Sequence, residues 1–148
     1  MTTAEFIEKH EGRRKKPYFD HLGFKTIGVG WNLAANPIPS IAIAIYLNEQ
    51  GEITDEMIDH LLDISIKTAT DDCHKLFPHF DDFTETRKMA LIDFLFNLGY
   101  IRAKTFHRAI AAINTGRWSD AAKAMRDSNY AKQVPNRAKE IIDMIETG

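Results

Sequence analysis

One cysteine, Cys73, is all that the 148 residues contain. An intrachain disulfide is therefore excluded, and the fold must rest on its core. A chain of this length buries enough apolar surface to do that, and a lone thiol suits folding in a reducing compartment. Long apolar runs are missing as well. The most apolar stretch, Ile41-Ala-Ile-Ala-Ile-Tyr-Leu47, falls far short of the roughly 20 residues that span a bilayer, so no stable membrane insertion is expected. The first residues, Met-Thr-Thr-Ala-Glu-Phe-Ile-Glu-Lys-His-Glu11, lack the basic and apolar regions of a signal peptide. The expectation is synthesis in the cytoplasm without a leader, with delivery by another factor if the target lies outside the inner membrane. Tandem repeats and low-complexity segments are also absent.

What is present reads as one globular domain over 1–148, with 44% hydrophobic and 27% charged residues. The net charge of −2 hides an asymmetry. Twelve acidic residues face four basic ones between Glu49 and Asp93, whereas nine basic face two acidic between Arg102 and Lys139. The C-terminal third is thus suited to an anionic partner or to a solvated face.

Thr2 or Thr3 caps a first helix whose Phe6, Ile7 and His10 share a face, and Gly12 is expected to end it as a left-handed cap. Pro17-Tyr-Phe-Asp20, His21-Leu-Gly23 and Phe24-Lys-Thr-Ile-Gly-Val-Gly-Trp31 read as strand, turn and strand. Gly28 and Gly30 within the second strand weaken it unless something needs close access to the backbone. Beyond Pro39 the pattern turns helical. Ile41, Ile45 and Tyr46 form the expected buried face of a short helix ending before Gly51. Thr54 caps a longer one that keeps helical spacing to Phe77 and stops at Pro78. At about 1.5 Å per residue it is a rod near 35 Å, longer than either flanking segment covers. Thr84 then caps a helix whose run Met89–Leu98 is apolar on nearly every face and is expected at the centre of a helical lobe. Further helices start near Thr105, Ser119 and Pro135. The class is α+β, mostly helical: a small strand-containing lobe over about 13–58, a connecting helix over about 54–77, and a helical lobe from about 1–12 plus 78–148.

Glu11 precedes the helix-ending Gly12, Asp20 enters the turn, and Thr26 lies on the second strand. Two carboxylates on rigid elements are what glycoside hydrolysis needs: one protonated, to donate to the leaving oxygen, and one ionised, to act on water or on positive charge at the anomeric carbon. The pattern Glu11-Gly12, Tyr18-x-Asp20, Gly23-x-x-Thr26-Ile-Gly28-x-Gly30 closely resembles the catalytic hairpin of phage-type lysozymes of the T-even kind. Arg87-x-x-Ala-Leu-Ile-x-x-x-Phe96-x-x-Gly99 resembles that family's central helix. Gly116-Arg-Trp-Ser-Asp-Ala-Ala122 and Gln133-x-Pro135-Asn-Arg-Ala138 resemble its later helices.

The resemblance implies a two-lobe lysozyme-like fold and a muramidase that cleaves bacterial cell-wall peptidoglycan with inversion. It makes Glu11 the general acid, with Asp20 and Thr26 holding the attacking water. Arg137 would orient Glu11, and Gly28 and Gly30 would support the hairpin. Asn32, Phe96, Asn97, Phe106 and Tyr130 would contact substrate; Asn32, Asn97 and Tyr130 stand where the T-even relative has leucine, glutamine and tryptophan. It implies no cofactor, no nucleic-acid partner, and a monomer made in a host cytoplasm.

Other constellations are weaker. Cys73-His74 with His79 matches no zinc spacing and is interrupted by Pro78, so no metal is expected. Gly28-x-Gly30 lacks the third glycine and following helix of a phosphate loop. Trp31 and Trp118 read as packing residues. Three alternative functions are open. A non-catalytic peptidoglycan-binding domain leaves Glu11, Asp20 and Thr26 without a purpose. A helical nucleic-acid binder leaves the hairpin unexplained. A lytic transglycosylase manages with one glutamate and needs neither Asp20 nor Thr26.

Overall fold

The computed structural model describes all residues, 1–148. Its contacts divide the chain into two compact units, Met1–Ile66 and Lys67–Gly148, and the long helix α3 (Asp55–Leu76) runs through the point of division. Nine α-helices and one three-stranded antiparallel sheet make up the chain, the α+β, mostly helical class expected. No helix is long and apolar enough to cross a membrane.

In the first unit, α1 (Thr3–Glu11) starts with a capping box: the Thr2 hydroxyl accepts from Glu5 N–H while the Glu5 carboxylate accepts from Thr2 N–H. Phe6 and Ile7 are its buried residues. Gly12 ends it at φ 77°, ψ 177°, a positive φ without the left-handed ψ expected of the cap. Arg13 follows and gathers three carboxylates. Its Nε donates to Glu8 at 2.7 Å, and one terminal nitrogen donates to Asp55 at 3.1 Å. The other donates to Asp59. The end of α1 is thereby tied to the first turns of α3, whose own start is capped by the Thr54 hydroxyl.

The sheet runs β1 (Arg14–Phe19), β2 (Lys25–Gly28), β3 (Trp31–Asn32). The expected single strand from Phe24 to Trp31 is two strands, because the chain reverses at Gly28 and Gly30, with φ of 64° and 66°. Side chains with a Cβ rarely adopt that region. At Gly28 an added Cβ would also stand 3.4 Å from the Ile58 side chain of α3. The turn and the packing against α3 therefore account for glycine there.

α2 (Ile41–Gln50) runs between a Ser40 cap and a left-handed Gly51. The face expected to be buried is not the buried one. Ile43 is buried, whereas Ile41 is 79% and Ile45 52% exposed and Tyr46 is half-buried. A helix with apolar residues on most faces gives its periodicity nothing to choose between.

The second unit holds the rest of α3 and then α4 (Glu85–Leu98), α5 (Tyr100–Ala103), α6 (His107–Asn114), α7 (Trp118–Arg126), α8 (Asn129–Gln133) and α9 (Pro135–Thr147). As its composition demands, α4 buries six consecutive residues, Ala90 to Leu95. The short helices α5 and α8 lie below the length at which periodicity is readable. Arg87 of α4 crosses to α9, donating to the carbonyls of Ile145 at 2.8 Å and Glu146 at 3.1 Å. Its guanidinium also lies 3.9 Å from the centre of the Trp118 ring. Trp118 in turn meets Phe83 edge to face at 5.0 Å, and Trp31 is buried with its indole N–H on the Asn36 carbonyl.

Near the start of this unit the His74 ring bonds Asp81 at 2.7 Å and the Thr70 carbonyl at 3.0 Å. Asp81 holds the His74 pKa above its ordinary value of 6.5. The charged pair therefore stabilises the fold fully below pH 6.5, and that contribution is lost as pH rises through the elevated folded value. Both groups are well exposed, so the effect is small. In urea titrations, the stability lead of the parent over an Asp81→Asn variant should shrink between pH 6 and pH 8.5. A lead that grows with pH would contradict this linkage.

Candidate functional site

Of the residues singled out in the sequence, the first unit holds Glu11, Asp20, Thr26, Gly28, Gly30 and Asn32. Glu11 is the last residue of α1, half-buried, one position before the bend at Gly12. Asp20 organises the β1–β2 turn. Its Oδ1 accepts the N–H groups of Leu22 and Phe24, each at 2.9 Å. Its own N–H donates to the Phe24 carbonyl at 3.0 Å, and its carbonyl accepts Gly23 N–H at 2.9 Å. An aspartate suits this work because a short carboxylate reaches backbone donors two and four residues ahead. All of the turn's demand falls on Oδ1, so Oδ2 is the oxygen left for anything else.

Thr26 sits in the middle strand, 3% exposed, with its hydroxyl donating to the Phe24 carbonyl at 2.9 Å. The ladder pairs it with Tyr18 on β1 and Asn32 on β3. Residues directly opposite one another in a ladder share a face, so Tyr18, Thr26 and Asn32 form one row across the sheet. Asn32 spends its side-chain oxygen on the backbone N–H groups of Ala34 at 2.9 Å and Ala35 at 3.1 Å. The register of β1 slips between Arg14 and Tyr18; this bulge sets which face Tyr18 presents.

Tyr18 links the two candidate carboxylates electrostatically. Burial raises its phenol pKa most, the charge of Glu11 adds to that, Arg14 opposes it, and Asp20 adds again. Arg14 lies over the Tyr18 ring at 4.7 Å. A phenol feeling both Glu11 and Asp20 places it in the field of both. Tyr18 belongs to the hairpin motif, and its position two residues before Asp20, on the same strand face, is the sequence signal of this placement.

The second unit holds Phe96, Asn97, Phe106, Tyr130 and Arg137. Phe96 and Asn97 are half-buried near the end of α4, and the buried Asn97 Oδ1 has no hydrogen-bond partner. Phe106 and Tyr130 both stand edge to face against Phe94, each at 5.1 Å. Tyr130 is 1% exposed, and its buried hydroxyl has no hydrogen-bond partner. Burial, and then the charge of Asp93, push its pKa up, with Arg137 opposing.

Arg137 is 9% exposed and forms a two-pronged pair with the fully buried Asp93, Nε to Oδ1 at 2.9 Å and a terminal nitrogen to Oδ2 at 3.0 Å. Such fork-to-fork geometry fixes the guanidinium in position and angle. Asp93 lies inside the apolar run of α4. The signal was there: a lone aspartate among buried positions requires a cation, and Arg137 is one. Cys73 is fully buried, which raises its pKa, while its neighbour His74 is engaged with Asp81.

Comparison with known proteins adds three findings. Residues 8–140 match the family described as phage lysozyme. The chain is 27% identical to "Probable T4-type lysozyme 1" of Dictyostelium discoideum, over 97% of this chain and 93% of that protein. It is 30% identical, over its whole length, to the "Pre-baseplate central spike protein Gp5" of Enterobacteria phage T4, of which the match spans 28%.

Proposed function

From the premise that this chain belongs to the phage lysozyme family, we propose that it is a muramidase of bacterial peptidoglycan. It hydrolyses the β-1,4 bond between N-acetylmuramic acid and N-acetylglucosamine in a single inverting displacement. The observation that carries the reading is the clamp around Phe24. Asp20 and Thr26 both bond that one residue's backbone, which fixes the two side chains relative to each other.

The clamp also assigns lone pairs. The Thr26 hydroxyl has given its proton to the Phe24 carbonyl, so it can only accept from a water. Asp20 has committed Oδ1 to the turn, so Oδ2 accepts the other water proton. A water held by both protons presents its oxygen lone pairs to the anomeric carbon. As the new C1–O bond forms, the C1–O4 bond breaks, Glu11 delivers its proton to O4, and Asp20 Oδ2 takes one proton from the water. Attack by water rather than by a carboxylate inverts the anomeric centre.

Phe96, Asn97 and Phe106 remain proposed glycan contacts on the strength of the family resemblance, as does Asn32 in the row with Thr26; Tyr130, 1% exposed, packs against Phe94 and offers no surface to a glycan. The protein is proposed to act as a monomer on wall that it reaches by release or by delivery through another factor.

Three measurements test this. Digestion of purified peptidoglycan should yield reducing muramic acid ends; anhydro ends would mean a lytic transglycosylase, and binding without cleavage would mean a wall-binding domain. Asp20→Asn should lower the rate by about two orders of magnitude or more. The first product seen by NMR of a defined oligosaccharide should be the α-anomer, and a β-anomer would rule out the single displacement.

A further inference from the structure

Phe24 joins Asp20 to Thr26 through its backbone. Phe24 gives its carbonyl to both Asp20 N–H and the Thr26 hydroxyl, and its own N–H to Asp20 Oδ1. Its backbone is therefore held at three points. Its ring, however, is 47% exposed. It stands one residue before β2 and still pairs with Asp20 across the ladder. Two positions from Thr26 on an extended chain, it falls on the Thr26 side of the sheet. A half-exposed aromatic side chain thus projects from the clamped backbone that joins the two groups proposed to hold the water.

We propose that Phe24 is a substrate-binding residue whose ring stacks on the apolar face of a pyranose next to the scissile bond. This rests on the muramidase reading and extends it to a specificity-determining contact. The physical basis is simple. A β-linked pyranose of the gluco configuration keeps its polar substituents equatorial and presents axial C–H groups on its faces, which makes those faces apolar. The face of an aromatic ring carries the negative part of its quadrupole. Stacking buries apolar area on both partners, and a residue whose backbone is already clamped has only side-chain freedom to lose on binding.

The hairpin supplies its own control. Phe19 is more exposed, at 72%, but pairs with Lys25. That places it one position out of phase with Tyr18 and Thr26, on the opposite face.

The test uses a defined peptidoglycan tetrasaccharide, with cleavage kinetics in the active protein and calorimetric binding in a Glu11→Gln background. Phe24→Ala should raise KM about tenfold and weaken binding to the same extent. It should change kcat less than about threefold, because the backbone clamp does not depend on the side chain. Phe24→Tyr and Phe24→Trp should restore KM, and Phe24→Leu should not. Phe19→Ala should leave KM in place.

A parent that cleaves the tetrasaccharide while Phe24→Ala shows unchanged KM overturns this inference and leaves the muramidase reading standing. Full rescue by Phe24→Leu, or an equal rise with Phe19→Ala, overturns stacking in favour of general apolar contact. A parent that neither binds nor cleaves the tetrasaccharide ends both.

Discussion

Replacing Glu11 by glutamine should remove lysis of cell walls, by about two to four orders of magnitude in rate, while leaving the protein folded. Glutamine matches glutamate in size and shape but has no acidic proton, so the leaving O4 would depart as an alkoxide. The fold should survive because other groups hold α1 in place. Its start is held by the Thr2–Glu5 capping box, its core side by Phe6 and Ile7, and its exit by Arg13 among Glu8, Asp55 and Asp59. Two readouts are needed together: clearing of a wall suspension, and the thermal midpoint. A Glu11→Gln protein with the parental melting curve and the parental lytic rate would remove Glu11 from the mechanism. Loss of both activity and cooperative melting would instead make it a structural residue.

The second large effect belongs to stability. Asp93→Ala should destabilise the protein by about 3–5 kcal/mol, because it leaves the Arg137 cation in a buried position without its fork-to-fork partner. For a chain of this size each kcal/mol moves the melting temperature by about 2–4 °C, so a fall of about 6–20 °C is expected. The loss should exceed that of any single exposed ion pair, such as Lys67–Asp71 or Lys139–Asp143, which are worth about 1 kcal/mol at most. Removing both partners is the informative control. With Asp93→Leu and Arg137→Met together, neither charge of the pair is left without the other, and part of the stability should return. Asp93→Ala melting within about 2 °C of the parent would show that the pair contributes no such stabilisation.

Much of the fold was legible because local rules decide it. The capping threonines Thr2, Thr54 and Thr84 sit where the chain must enter a helix, and Pro78 and Gly99 follow where α3 and α4 end. The apolar run of α4 is buried because no face of it tolerates water. The motif around the hairpin was legible for the same reason: Asp20 and Gly23 are residue types that a tight turn selects.

What was misread depends on distant partners. The buried side of α2 is set by what packs on it, and its apolar residues gave no preferred face, so Ile43 rather than Ile41 or Ile45 went inside. The break of β2 at Gly28 follows from positive backbone angles and from Ile58, thirty positions along the chain. Glycine in a sequence announces freedom, not the angle chosen.

By itself, then, the sequence determined the class of the protein, the helix boundaries set by caps and breakers, and the residue types available for acid and water-holding chemistry. Those are properties of a residue and its near neighbours, and short-range sterics and hydrogen bonding enforce them. The tertiary structure alone decided which oxygen of Asp20 remains available, that Thr26 must accept rather than donate, and that Asp93 closes on Arg137. Each of these is a statement about where one polar atom finds its partner. Partners four, two and forty-four residues apart look alike in a sequence, and only the packed chain distinguishes the bonds that form from those that could.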